Sequence, residues 1–188
     1  GTILAMGLYP AVFACPEKGV VGQIPSNWDK ESVMRANNME SMLLLIPDCD
    51  LEERKIFILA SVFYPLRNVE YELPKNRKRV SLYSFILMDS LKYSNKDLAG
   101  VTTLLGSVDT LQQLALGYPP DRVTVGMAVR RATQLWRHTL KFAAAMSLPA
   151  PLSDIAAASA RFSQFEEYVN QLGLADAWDA KPLFTGQE

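Results

Sequence analysis

One stretch, residues 121–148, constrains the fold most because its spacing predicts a single long α-helix. Residues that are apolar or small recur along it at alternating steps of four and three, which places them on one helix face. They are Ala128, Ala132, Leu135, Thr139, Phe142 and Met146. Trp136 and Leu140 widen this face, as in a helix buried on two sides. We therefore expect residues 121–148 to be a core helix that the other elements pack around.

The opposite face of this predicted helix is basic. Arg130, Gln134, Arg137 and Lys141 recur at the same spacing, and Arg131 lies beside them. One interpretation is an ordinary solvated face, and the other is a surface for phosphate groups. The spacing alone does not choose between them.

The rest of the chain also reads as helical. We expect helices over residues 28–46, 51–64, 80–93, 94–116 and 155–172, and the last turns of an earlier helix at 2–6. Asp50 with Glu53 fits a capping box, and Ser94 with Asp97 fits a helix start. Residues 73–79 read as a basic loop. No segment shows sustained alternation, so the predicted fold is all-α, a multi-helix bundle or array without a significant sheet.

Composition is that of an ordinary globular chain of 188 residues, 49% of them hydrophobic. No apolar run reaches the roughly 18 residues that span a bilayer, and we expect neither a signal peptide nor a membrane partner. Cys15 and Cys49 lack ligand-like spacing and predict free thiols in a reducing compartment. With His138 as the one histidine, no zinc site is expected.

Charge is distributed unevenly although the formal net charge is only −1. Residues 65–141 hold 12 Lys and Arg against 6 Asp and Glu, whereas the remainder holds 7 against 14. This asymmetry favours an oriented anionic partner. Eight cations are candidates for contact with such a partner: Lys75, Arg77, Lys78, Arg79, Arg130, Arg131, Arg137 and Lys141. If about half of them touched phosphates, the log–log salt slope of binding would be roughly −3 to −4.

Candidates for catalysis are weak. Asp48-Cys49-Asp50 has the form of a metal-binding DxD pair, but it sits between two predicted helices and Asp50 already serves as a cap. The sequence contains no P-loop, GxGxxG, HExxH or CxxC motif. His138 is interpreted as a structural or solvent-facing residue. We therefore expect no catalytic residues and no metal site in this chain.

Five segments carry a resemblance to a known family. Residues 57–71 read FILASVFYPLRNVEY, residues 80–101 read VSLYSFILMDSLKYSNKDLAGV, and residues 123–140 read VTVGMAVRRATQLWRHTL. The chain opens with GLY at 7–9 before VF at 12–13, and it closes with KPL at 181–183 and GQE at 186–188. In this order the segments resemble motifs of eukaryotic-type CCA-adding enzymes, the tRNA nucleotidyltransferases.

The resemblance implies that the chain is the helical body, with the start of the tail, of a longer enzyme. In that family an amino-terminal head carries the metal-binding carboxylates, and a neck templates CTP and ATP. The body and tail hold the backbone of the tRNA acceptor and T arms and set the distance of the 3′ end from the active site. The implied partners are tRNA and the enzyme's own head and neck. No cofactor is implied for this chain, whereas Mg²⁺ with CTP and ATP is implied for the full-length enzyme.

The family motifs are carried over residue by residue. Pro65, Leu66 and Arg67 match "PLR", Leu91 and Lys92 match "LK", and Trp136 and Arg137 match "WR". We interpret Trp136 as a core anchor. Arg137 faces away from that core and is expected either to reach tRNA or to pair with a neighbouring helix.

The predicted organisation has three parts. Residues 1–26 are the exit of a neck helix and a connection, residues 27–148 are the body domain, and residues 149–188 are a last long helix with a truncated tail. The expected location is the cytoplasm, with the nucleus, mitochondrion and plastid left open. The alternative function is a non-catalytic interaction or scaffold module descended from such an enzyme.

Overall fold

A computed structural model describes residues 13, 16, 18–46, 49–117, 120–148 and 155–180. Several predictions lie outside these residues: the helix end at 2–6, most of the opening motif at 7–13, the cysteine at 15, the helix stop at 47, the first carboxylate of the DxD pair at 48, and the closing motif at 181–188. In the described part, no helix is both long and apolar enough to cross a membrane.

The described residues are predominantly helical, which confirms the all-α prediction. The helices are α1 (Trp28–Leu43), α2 (Leu51–Phe63), α3 (Leu82–Phe85), α4 (Asn95–Leu116), α5 (Arg122–Ala132), α6 (Trp136–Ser147) and α7 (Ile155–Gln171). Short 3₁₀ turns cover Tyr64–Leu66, Thr133–Leu135 and Ala177–Asp179, and one π-helical turn covers Ile86–Ser90.

A small antiparallel sheet of three strands accompanies the helices. Its order is β1 (Val20–Val21), β2 (Glu70–Glu72) and β3 (Arg79–Ser81), with Val20 opposite Tyr71 and Glu70 opposite Ser81. Strands of two or three residues are too short to show alternation in the sequence. The helix predicted over 80–93 is therefore wrong at its start, where β3 precedes α3.

Two helix starts were predicted correctly from local chemistry. The Asp50 carboxylate accepts the Glu53 N–H at 2.7 Å, while the Glu53 carboxylate accepts the Asp50 N–H at 3.2 Å, which completes the capping box of α2. At the start of α4, the Ser94 hydroxyl accepts the Asp97 N–H at 3.2 Å. These contacts span only three residues, so the sequence carries all the information needed.

The single helix predicted over 121–148 is wrong. The chain leaves the helical conformation at Thr133, where φ is 59° and ψ is −156°, and α6 begins at Trp136 after a 3₁₀ turn. Trp136 is fully buried, and its indole Nε1 donates to the Ala175 carbonyl at 3.0 Å. The break thus adjoins a tertiary contact, and such contacts routinely override local helix preference.

The chain divides into two compact units, residues 1–105 and 106–188, and the boundary falls within α4. The three parts predicted from the sequence stay a prediction. Within unit 1 the largest fully buried side chains are Met39, Met42, Phe57, Phe63, Leu66, Leu82, Ile86, Leu87 and Leu104. Within unit 2 they are Leu111, Trp136 and Phe142.

Candidate nucleic-acid interface

The basic segment at 73–79 forms the turn of the β2–β3 hairpin. The Leu73 N–H donates to the Lys78 carbonyl at 2.9 Å, and the Arg77 N–H donates to the Leu73 carbonyl at 3.0 Å. The Asn76 side chain accepts the Lys78 N–H at 3.0 Å. Because the hydrogen bonds of the turn are made within its own residues, its basic side chains extend into solvent. We call Lys75, Arg77, Lys78 and Arg79, all exposed, the hairpin cluster.

Charge in the hairpin cluster is only partly balanced. Arg79 Nη1 lies 3.7 Å from Glu70 Oε2, and both side chains are more than half exposed, so this ion pair contributes little stability. Among the described residues, no ion pair involves Lys75, Arg77 or Lys78. Three cations therefore share one exposed turn, which creates a local positive potential suited to phosphate.

The basic stripe of unit 2 is interrupted by the break at Thr133. Arg130 and Arg131 lie in the last turn of α5, whereas Arg137 and Lys141 lie on α6. The predicted continuous face from Arg130 to Lys141 is therefore wrong, since a helical period applies only within one helix. What remains is an exposed arginine pair at 130–131 and two half-buried cations on α6.

Arg137 pairs with a neighbouring helix, which was the second of its two expected roles. Its Nε donates to Glu166 Oε1 at 3.1 Å, and its Nη2 donates to Asn170 Oδ1 at 3.4 Å, both on α7. Its Cζ also lies 4.5 Å from the centre of the Trp136 ring. Arg137 is thus already bound on three sides, whereas among the described residues no ion pair involves Lys141.

The arginine pair at 130–131 borders an open groove between α4 and α5. The groove has a volume of about 610 Å³, and its lining includes Thr110, Val123 and Met127. Cations at a helix carboxyl end also stabilise the helix dipole, so Arg130 and Arg131 have a structural reason to be there. This groove was not predicted from the sequence, although Val123 and Met127 stand one helical turn apart outside the apolar stripe.

Among the other family positions, Leu66 and Arg67 make structural contacts. Leu66 is fully buried, and the Arg67 guanidinium lies 4.0 Å from the centre of the Tyr64 ring while its Nη1 donates to the Tyr64 carbonyl at 3.1 Å. Leu91 is half-buried, and Lys92 is exposed with a φ of 56° directly after the π-helical turn. Burial accounts for Leu66, and the contacts with Tyr64 account for Arg67, without a ligand.

The residues considered for metal binding or catalysis have structural surroundings in the described part of the chain. Among them, no group of three His, Cys, Asp or Glu side chains could hold a metal ion. Asp50 is committed to its capping box, Cys49 is buried, and His138 is half-buried. Burial raises the pKa of the Cys49 thiol, and the neighbouring Glu53 carboxylate adds to that effect. A thiol with a raised pKa is a poor nucleophile.

Comparison with known proteins adds no family assignment: no family model, no curated protein and no solved structure matches the chain.

Proposed function

We propose that this chain is the tRNA-binding helical body and partial tail of a CCA-adding tRNA nucleotidyltransferase. The observation that carries the proposal is the hairpin cluster, in which Lys75, Arg77 and Lys78 stand exposed on one turn. The resemblance of five sequence segments to motifs of that family supports the proposal, and the hairpin cluster provides a surface that phosphates would contact.

The hairpin geometry suits contacts with a nucleic-acid backbone. Side chains on a tight turn project outward, so several can approach successive phosphates of one strand without a change in the sheet. Such contacts position a nucleic acid but carry no sequence information. This matches a protein part that must hold every tRNA alike, by charge and by shape.

The arginine pair at 130–131 is a second, smaller candidate surface. Both guanidinium groups are exposed, and among the described residues no ion pair involves either of them. Arg137 is left out of the proposed contacts because Glu166 already neutralises it. In the proposed function, CTP, ATP and Mg²⁺ are handled by a head and neck outside this chain.

The test compares two triple variants that remove the same formal charge. The hairpin variant carries Lys75→Gln, Arg77→Asn and Lys78→Gln; asparagine is chosen because Arg77 has a φ of 54°. The control variant carries Lys30→Gln, Lys96→Gln and Arg161→Gln at exposed helix positions. Binding of labelled tRNA is followed by fluorescence anisotropy between about 50 and 200 mM KCl.

We expect the hairpin variant to bind more weakly and to lower the log–log salt slope by about 1.5 to 2, as the loss of two phosphate contacts would. The control variant should leave the slope nearly unchanged. Equal slopes for the two variants, with both still folded by circular dichroism, would remove the hairpin from the function. No tRNA binding by the unaltered chain would instead favour the interaction-module alternative.

A further inference from the structure

Thr133 is exposed at the point where α5 ends, and its backbone is strained. Its φ of 59° and ψ of −156° lie in a region that residues other than glycine rarely adopt. The helix α5 stops one residue earlier, at Ala132, and α6 begins only at Trp136. A break between two helices presents its side chains to other enzymes, because its backbone can open locally while the core stays folded.

The residues before this threonine are basic. The chain reads Arg130-Arg131-Ala132-Thr133, so two arginines stand three and two residues before the hydroxyl group. This charge pattern is the one that arginine-directed protein kinases bind in their substrates. Both arginine side chains are exposed, and among the described residues no ion pair involves either of them. An accessible acceptor and the charges that a kinase recognises therefore coincide at one break.

A second stretch has a similar charge pattern in a different structural setting. Lys78 and Arg79 stand three and two residues before Ser81. Ser81 is half-buried in β3, which is paired with β2, and its hydroxyl accepts a hydrogen bond from the Ser84 hydroxyl at 3.4 Å. The residue that follows, Leu82, is fully buried. A kinase would have to open the sheet to reach Ser81, so the structure separates two sites that the charge pattern leaves equal.

We propose that Thr133 is a phosphorylation site for an arginine-directed protein kinase. In this reaction the Thr133 Oγ1 attacks the γ-phosphorus of ATP, the bond from that phosphorus to the bridging oxygen breaks, and ADP leaves. The hydroxyl proton passes to the catalytic aspartate of the kinase. The product is a phosphate monoester on the threonine, and no atom changes its oxidation state.

Binding to a kinase requires the last turn of α5 to unwind while the rest of unit 2 stays folded. Few contacts hold this turn in place, since Ala132 is the one buried side chain among residues 130–133. The next large buried side chain is that of Trp136, which lies beyond the acceptor and both arginines. Relief of the backbone strain at Thr133 lowers the free energy that this opening costs.

Phosphorylation would also change the charge of the arginine pair at 130–131. A phosphothreonine carries about −1.5 to −2 charges at neutral pH, which is enough to cancel two arginines. Arginine binds phosphate through paired hydrogen bonds, so the new group would engage both side chains within the chain. This consequence rests on the proposed function, in which the same pair contacts tRNA. The phosphorylated protein would bind tRNA more weakly and with a smaller salt slope.

The test treats the full, folded chain with ATP, Mg²⁺ and the catalytic subunit of a cyclic-AMP-dependent protein kinase. Peptide mass spectrometry locates the modified residues and follows them in time. Two synthetic peptides, residues 126–138 and 74–86, are treated in parallel because they carry the two charge patterns without the fold.

A double variant, Arg130→Gln with Arg131→Gln, removes the charges that the kinase recognises. Its control, Lys96→Gln with Arg161→Gln, makes the same change of formal charge at exposed positions elsewhere.

We expect both peptides to be phosphorylated, and the folded chain to be modified at Thr133 about tenfold faster than at Ser81. The arginine double variant should lose this modification, and the control variant should keep it. Three results would overturn the proposal. They are no modification of Thr133 in the peptide or the folded chain, faster modification of Ser81 in the folded chain, and an unchanged rate at Thr133 in the arginine double variant.

The effect on tRNA is measured separately, by fluorescence anisotropy with the phosphorylated chain and with Thr133→Val taken through the same treatment. Valine keeps the branched shape of threonine and lacks the hydroxyl group. We expect weaker binding only for the phosphorylated chain, with a log–log salt slope smaller by about 1 to 2. Unchanged tRNA binding after phosphorylation would overturn this regulation. An unaltered chain that binds no tRNA would count against the proposed function, whereas the phosphorylation of Thr133 is mapped independently of tRNA.

Discussion

The Arg137 guanidinium and the Glu166 carboxylate form an ion pair between α6 and α7, with Nε 3.1 Å from Oε1. The contact joins residues 29 positions apart, and Arg137 is one of the eight cations that the sequence offered as candidates for binding RNA. Asn170 and the Trp136 ring complete the surroundings of the guanidinium. The pair therefore connects two helices of unit 2, and it engages Arg137 within the protein.

Arg137→Gln should lower stability with little effect on tRNA binding. The side chains of the pair are 43% and 30% exposed, so we expect a loss of about 0.5–1 kcal/mol in the free energy of unfolding. Urea unfolding measures the loss, and Glu166→Gln is the matched partner in a double-mutant cycle. A fall in tRNA affinity as large as that of the hairpin variant would show that Arg137 contacts RNA after all.

Asp97 should make stability depend on pH in the acid range. Burial by itself raises the pKa of this carboxyl group, but hydrogen bonds from Lys55 Nζ at 2.7 Å and from Ser94 Oγ at 2.6 Å outweigh it and lower the pKa below the ordinary 3.8. A pKa depressed in the folded state stabilises the fold above the unfolded pKa. That contribution is lost as the pH falls through the folded pKa.

The substitution Asp97→Asn tests the direction of this pH dependence of stability. At neutral pH we expect a loss of about 1–3 kcal/mol in the free energy of unfolding, because Lys55 and Ser94 lose a buried partner. The difference from the unaltered chain should shrink below about pH 4. Asp176→Asn, at an exposed position, is the control and should show a small difference. A difference for Asp97→Asn that stayed constant down to about pH 2 would contradict the prediction.

Replacing Thr133 with glycine should make the folded protein more stable than replacing it with alanine. With φ at 59° and ψ at −156°, this exposed residue occupies a region that is essentially reserved for glycine and costs of order 1–3 kcal/mol for other residues. We expect Thr133→Gly to be more stable than Thr133→Ala in thermal unfolding. In a continuous helix the order would be reversed, because alanine exceeds glycine there by about 1 kcal/mol. If the alanine variant were more stable than the glycine variant, the result would therefore support the single helix predicted over 121–148.

Local chemistry in the sequence determined most of the helices and much of the core. The capping box at Asp50 and the start at Ser94 were predictable because their hydrogen bonds span three residues. The apolar face of residues 121–148 was also correct for most positions: Ala128, Ala132, Trp136, Thr139, Leu140, Phe142 and Met146 are buried. Which residues are buried depends on their spacing over one or two helical turns. The break at Thr133 therefore changes the buried face little.

Only the tertiary structure decided which basic residues belong together. The basic loop at 73–79 was predicted from the sequence, but its place as the turn between β2 and β3 was not, because those strands are too short to be recognised by alternation. The predicted basic stripe is interrupted at Thr133. Close by in the chain, the Trp136 indole donates a hydrogen bond to the carbonyl of Ala175, 39 residues further along. Arg137 was assigned its partner by α7. The last two outcomes rest on contacts between residues 39 and 29 positions apart. A local pattern in the sequence contains no information about such contacts.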